Sequence, residues 1–195
     1  MIDLHCHLLP GVDDGPRDMD EALAMCRRAV EEGITHAITT PHIHIGRWDN
    51  GADSIGEAVA QLRDALRTAN ISLHLGFAGE VRLSDQLPAQ VERGEIPFYG
   101  EVDGYKVMLL EFPHGHIPPG GDKLAAWLLS RGIRPLIAHP ERNKQVMRSV
   151  ESIYPFVEAG CWLQVTGGAV CGAFGDPARE TAHHLLREDI VAVVA

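Results

Sequence analysis

Histidines and carboxylates recur in this sequence where an apolar, strand-like run ends. His5-Cys6-His7 sets two imidazoles at i and i+2, so an extended backbone turns both to one side. Asp13 and Asp14 follow on a glycine-containing loop. His42 comes after Thr40-Pro41, and Glu80 after Ala78-Gly79. Glu111 ends the run Val107-Met108-Leu109-Leu110, and His139 ends Leu136-Ile137-Ala138. One ionisable group behind an apolar strand is ordinarily a hydrogen-bonded core residue. Four in the same relative position, with a His-x-His besides, are better explained by shared metal ions, because an isolated buried charge is costly. Nitrogen and oxygen donors without thiolate suit manganese, iron or zinc. The donors exceed the needs of one ion, and the two oxygens of Glu80 could bridge a pair. A hydrolytic centre of two or three metals is the expectation. Arg142, in His139-Pro140-Glu141-Arg142, stands beside these residues. It either binds an anionic phosphate group bidentately or pairs with a carboxylate such as Glu141.

The elements that must position these groups alternate between strand and helix. Residues 2–7, 34–39, 71–77, 106–110, 134–138, 162–165 and 190–195 read as strands. Asp18, three residues before Glu21, predicts a helix start, and Ala22, Met25, Cys26, Ala29 and Val30 share one face of that helix. Ser54 is expected to cap a second helix, with Ile55, Ala58, Val59, Leu62, Ala65, Leu66 and Ala69 on its apolar side. Further helices are expected over 84–93, 121–131, 149–160 (split or kinked by Pro155) and 176–188. Such alternation means parallel strands joined by crossover helices. An open sheet gathers its ligand at one switch point, whereas here almost every strand hands over a polar residue at its C-terminal end. Side chains from so many strand ends meet only if the strands close into a ring. The expected fold is therefore a distorted, TIM-like (β/α)7 barrel, and the 195 residues form one domain.

Composition removes several function classes. Lys and Arg number 17 against 27 Asp and Glu, a formal charge of −10. An acidic chain is badly suited to displacing counterions from a nucleic-acid backbone. No apolar run approaches the roughly 20 residues of a membrane span, and Met1-Ile2-Asp3-Leu4-His5 lacks the features of a secretory signal. The four cysteines show no paired spacing, so reduced thiols in a cytoplasmic protein are expected. A cysteine-based phosphatase needs Cys-x5-Arg. Six residues beyond Cys6, Cys26, Cys161 and Cys171 stand Val12, Glu32, Gly167 and Pro177. The remaining route to a phosphoester is attack by a metal-activated hydroxide.

The motifs His-x-His-x-Leu-Pro-Gly-x-Asp-Asp-Gly at 5–15, Thr-Pro-His at 40–42, Gly-Glu-Val-Arg at 79–82, Leu-Leu-Glu-Phe-Pro at 109–113 and His-Pro-Glu-Arg at 139–142 resemble the PHP (polymerase and histidinol phosphatase) superfamily. Within it the chain is most similar to the capsule-type, manganese-dependent protein-tyrosine phosphatases of bacterial exopolysaccharide loci. The resemblance implies a PHP-fold barrel with a trinuclear site at the strand ends. Its metal ligands would be His5, His7, Asp14, His42, Glu80, Glu111 and His139, with Arg142 holding phosphate and His116 nearby. It further implies a phosphotyrosine protein substrate, in particular the tail of a bacterial tyrosine kinase. In the family a Ser-Asp-Ala-His-type segment follows the last strand and supplies two more ligands. This chain stops at Val193-Val194-Ala195, where that segment would begin; the alternatives are a barrel shortened after its last strand and a native variant that lacks those two ligands. The rival readings are another phosphatase of the same plan, acting on histidinol phosphate or a small phosphomonoester, and a non-catalytic regulator with an incomplete metal site.

Overall fold

Asp18 starts the first helix as its side chain predicts: its Oδ1 accepts the Glu21 N–H at 2.9 Å, and α1 runs Met19–Glu31 with Ala22 and Cys26 buried. The computed structural model describes all of residues 1–195. The chain divides into two units, one of residues 1–81 and 86–99, the other of residues 82–85 and 100–195.

In the first unit, β1 (Ile2–Cys6), β2 (His36–Thr39) and β4 (His74–Phe77) form a parallel sheet in the order β1-β2-β4. A second parallel pair joins β3 (His42–Ile43) to β5 (Glu80–Arg82), with His42 level with Glu80 and Ile43 with Val81. The helices are α1, α2 (Ala52–Thr68) and α3 (Leu87–Glu92). Helix α2 buries Ile55, Val59, Leu62 and Leu66 on one face, the i, i+4, i+7, i+11 spacing of an amphipathic helix. Its cap is Gly51 rather than the expected Ser54. Ser54 sits a turn inside, at the third helical position, where its hydroxyl accepts the Gly51 N–H at 3.1 Å, so the helix starts earlier than the serine suggests.

The second unit contains β6 (Glu101–Val102), β7 (Tyr105–Glu111), α4 (Gly121–Ser130), β8 (Ile133–Ala138), α5 (Lys144–Arg148), α6 (Tyr154–Ala159), β9 (Trp162–Val165), α7 (Gly167–Val170), α8 (Asp176–Arg187) and β10 (Val193–Val194). Strands β7, β8, β9 and β10 pair in parallel in that order, and β6 folds back antiparallel on β7. Val107 to Leu110 and Leu136 to Ala138 are buried without alternation, as expected of parallel strands covered on both faces. Pro155 splits the expected 149–160 helix into a 3-10 turn, Val150–Ile153, and α6.

The architecture is thus α/β with parallel sheets, and it has ten strands where seven are expected. The additional β3, β5 and β6 are two or three residues long, too short to leave a periodic signal. Two of them, β3 and β5, carry His42 and Glu80.

Their close approach depends on Gly79. A methyl group there would lie 2.5 Å from Ile43 Cδ1, 3.2 Å from Ile43 Cγ1 and 3.3 Å from Pro97 Cγ, and Ile43 is itself buried. Gly79→Ala should therefore overpack this seam and destabilise the protein by about 1–3 kcal/mol. Urea denaturation measures the change; an unaltered midpoint would show that the seam tolerates the methyl group.

Candidate metal centre

Strand β1 does not run evenly to its end. Asp3 pairs with Ala37 and Cys6 with Thr39, so three steps on β1 face two on β2, an inserted residue of the bulge type. The Leu4 carbonyl takes a 2.6 Å hydrogen bond from the Tyr99 hydroxyl, whose burial pushes its pKa up and keeps the proton on the donor. Beyond the bulge, the Cys6 carbonyl accepts the Thr40 N–H at 2.8 Å, and the Thr39 hydroxyl accepts the Leu8 N–H at 3.2 Å. His7 thus lies just past the strand, held by the tip of β2, rather than inside a regular alternation as the His-x-His spacing suggests.

The two imidazoles still converge, and His42 joins them. His5 Nε2 is 3.3 Å, His7 Nε2 3.4 Å and His42 Nδ1 3.0 Å from the same atom, Glu80 Oε2. The Glu80 side chain is 1% exposed. Asp14, 58% exposed, approaches from the solvent side, with Oδ1 3.6 Å from His42 Nε2 and 3.8 Å from His7 Nδ1. Two overlapping donor triplets result, His5–His7–Glu80 and His7–Asp14–His42, each with ligand atoms within 4.8 Å of one another.

Asp13, not Asp14, organises the cluster. Its buried carboxylate accepts His7 Nδ1–H at 2.6 Å, the His42 N–H at 2.9 Å and the Gly15 N–H at 3.0 Å. Holding Nδ1–H leaves His7 Nε2 as the atom aimed at Glu80, where an ion would take the place of the imidazolium's second proton. Gly15 is needed for this closure, since a Cβ there would fall 2.9 Å from the His7 carbonyl. Asn50 Nδ2 completes the clamp, donating to the carbonyls of His42 at 2.8 Å and Val12 at 3.1 Å. Burial works against the His7 cation, but the hydrogen bonds and charges of Asp13 and Glu80 prevail and push its pKa up to about 10. Burial likewise opposes the Asp13 charge, and bonding to His7 outweighs it and holds the carboxyl low. Burial pulls His42 below its ordinary value. Imidazole nitrogens turned on a buried carboxylate, one fixed from behind by a second carboxylate, fit divalent cations.

The remaining expected site residues lie in the second unit. Glu111 ends β7 level with Ala138 of β8, so Glu111 and His139 leave neighbouring strands at the same end. Arg82 NH1 is 3.4 Å from Glu111 Oε2. His139 is held at φ 34, ψ 54, a left-handed conformation that is uncommon without glycine and is disfavoured before proline. Strain of this kind concentrates at functional sites. Glu141 is fully buried and accepts the Thr166 N–H at 2.9 Å, with burial pushing its pKa up. It forms no ion pair with Arg142, which removes the alternative pairing weighed from sequence. Instead the Arg142 guanidinium lies 4.3 Å from the centroid of the Phe174 ring. His116 and His114 are exposed on the 113–117 loop, which is tied down by Asn143 Nδ2 to the Pro113 carbonyl at 2.8 Å and by the Ile117 N–H to Gln145 Oε1 at 3.0 Å. Sequence reasoning misses Trp48 and Phe174 altogether. Trp48 stacks on His42 at 4.7 Å with a 7° interplanar angle.

A family profile for capsular polysaccharide synthesis, CpsB/CapC, matches residues 1–195. The chain belongs to the CpsB/CapC family. Over all 195 residues it is 33% identical to the tyrosine-protein phosphatase YwqE of Bacillus subtilis, spanning 76% of that protein. It is 26% identical to the tyrosine-protein phosphatase CpsB of Streptococcus pneumoniae, spanning 81% of it. Among solved structures, a chain from the work on YwqE and CpsB as "unique metal-dependent tyrosine phosphatases" superimposes with a TM-score of 0.91 at 33% identity, covering 100% of this chain and 78% of that one. An organophosphorus hydrolase from Deinococcus radiodurans matches at TM-score 0.52 and 17% identity, a likeness of fold alone. The CpsB/CapC chain therefore carries its clustered donors on a scaffold shared with proteins described as metal-dependent.

Two measurements check this site. Asp13→Ala should weaken divalent-metal binding about 10- to 100-fold, because a carboxylate behind a ligating imidazole fixes its orientation; calorimetric titration reads the change, and undiminished affinity would contradict the role given to Asp13. The thiols should report a site that does not use them. Cys171 is exposed, while burial pushes Cys26 up to about 11 and Cys161 up to about 12. Iodoacetamide at pH 8 should label Cys171 and spare both buried thiols. Unfolded thiols ionise near roughly 8.5, so these two hold the folded state back as pH rises: stability should fall above that value and level off beyond the folded pKa values.

Proposed function

We propose that this chain is a metal-dependent phosphatase that hydrolyses phosphotyrosine in proteins. The observation that carries the reading is the convergence of His5, His7 and His42 on the buried Glu80 carboxylate. Membership of the CpsB/CapC family and the names of its relatives support it. The proposed ligands are His5, His7, Asp14, His42, Glu80, Glu111 and His139, holding two or three ions. Manganese is the first choice, with iron or zinc as alternatives for the same donors. A single domain over 1–195 with a (β/α)7-barrel plan belongs to the same reading; the parallel strands and the full-length family match support it.

Bound ions would supply Lewis acidity and lower the pKa of a water from 15.7 toward about 7. The protein's part is placement and charge. Asp13 holds the His7 Nδ1–H, which leaves Nε2 as the nitrogen that would give up its proton to an ion. Arg142, free of any carboxylate and resting on Phe174, can turn its in-plane N–H groups to the phosphoryl oxygens and offset charge there. A tyrosine leaving group, with a pKa near 10, needs little help from a general acid. The substrate proposed is the phosphorylated tail of a bacterial tyrosine kinase, within control of capsule synthesis, and the setting proposed is cytoplasmic. No helix is long and apolar enough to cross a membrane.

Hydrolysis of p-nitrophenyl phosphate and of a phosphotyrosine peptide tests the reading. Manganese should stimulate turnover and chelation should abolish it. Glu80→Gln should remove activity, Arg142→Ala should lower kcat/KM by roughly 100-fold or more, and Cys171→Ser should leave turnover in place. Folded, metal-loaded protein without turnover would refute the assignment.

A further inference from the structure

Arginines on this chain commonly find a carboxylate. Arg17, Arg28, Arg67, Arg93 and Arg179 each pair with an acidic side chain a few residues away. Arg47 does not, although acidic residues outnumber basic ones by ten. Its contact is aromatic: the guanidinium carbon sits 4.0 Å from the centroid of the Trp48 ring. The same ring stacks on His42, one of the imidazoles facing Glu80.

The backbone fixes this arrangement. The His44 N–H donates to the Trp48 carbonyl at 3.0 Å and the Trp48 N–H to the His44 carbonyl at 2.8 Å, closing a tight hairpin. Gly46 turns it at φ 82, and its N–H donates to Asp49 Oδ1 at 2.6 Å. Arg47 is exposed while Trp48 is half-buried, so the charge stands at the rim of the cluster rather than within it.

A ring face and a carboxylate treat a guanidinium differently. A carboxylate occupies its in-plane donors and cancels its charge. An aromatic face holds the flat cation and leaves the N–H fork available. Arg142 on Phe174 shows the same arrangement, and there the proposed guest is phosphate. Arg47 is thus oriented, uncancelled and one ring away from a proposed metal ligand.

We propose that the Arg47–Trp48 hairpin is an anion-recognition subsite, which selects phosphotyrosine segments carrying a second anionic group beside the phosphotyrosine. The inference rests on the phosphatase reading above. The second group is a carboxylate side chain or a neighbouring phosphate; both offer paired oxygens to the guanidinium fork. Small aryl phosphates lack it and do not engage the subsite. Trp48 carries Arg47 and backs His42, and Arg47 acts on substrate choice.

Three phosphotyrosine peptides of equal length test this, with flanking Glu, flanking Gln or a flanking phosphoserine. Manganese-loaded wild type should favour the Glu or the phosphoserine peptide over the Gln peptide by about fivefold in kcat/KM, the scale of an exposed charge pair. The arm that shows the preference identifies the anion. High salt should erase it, and Arg47→Ala should bring the ratio close to one, with Arg47→Lys retaining part. Dissociation constants of the matching non-hydrolysable phosphonate peptides should show the same ratios without turnover. Equal ratios in wild type and Arg47→Ala, with both proteins active, overturn the subsite and leave the phosphatase reading intact. Wild type that hydrolyses neither the peptides nor p-nitrophenyl phosphate overturns both.

Discussion

A carboxylate buried to 1% exposure, with three imidazole nitrogens within 3.4 Å of one oxygen, is the constraint on which the first unit is arranged. A charge so placed must be compensated, and the compensation dictates local structure at several places. Strand β1 carries a bulge before the histidines, and Tyr99 takes up the Leu4 carbonyl there. Strands β3 and β5 pair so that His42 and Glu80 are level, with Gly79 admitting Ile43 and Pro97 alongside. The 8–15 loop folds inward on Asp13, whose oxygens bind one ring nitrogen and two backbone N–H groups. Each feature is small, and together they leave few alternatives for where the ring nitrogens point.

The second unit solves a related problem by different means. Its buried β7 and β8 need no polar compensation, so polarity is deferred to their ends, at Glu111 and His139. The left-handed His139 redirects the chain into the Pro140–Arg142 turn, a conformation that costs roughly 1–3 kcal/mol. Asn143 and Gln145 tie the following helix to the 113–117 loop. Glu141 is turned inward to Thr166, which separates it from Arg142 and leaves the guanidinium on the Phe174 ring. Proximity in sequence would have paired the two; the backbone prevents it.

Much of this is legible in the residue order because the chemistry sits where apolar runs stop. His5, His7, His42 and Glu80 stand out as donors from sequence, and the structure brings them together. Long strands and amphipathic helices are legible for the same reason: α1, α2 and β7 carry enough residues for a period to show. The two-residue β3 and the three-residue β5 do not, yet they set the register of the site. The division of labour between Asp13 and Asp14 is also illegible, since adjacent aspartates look alike until the loop closes. Gly15 is the one signal that the backbone there packs tightly. Trp48 and Phe174 escape notice because a single aromatic residue in a loop has no pattern. An arginine next to an aromatic residue, with no acidic partner three or four positions away, is the trace that Arg47–Trp48 leaves.

The most direct test is an anomalous difference map at the manganese edge, from crystals of this protein grown with Mn2+. Peaks are expected in coordination contact with Glu80, His5 and His7 Nε2. A protein that hydrolyses phosphotyrosine while showing no metal peak at Glu80, or showing one bound only by exposed carboxylates elsewhere, would contradict it.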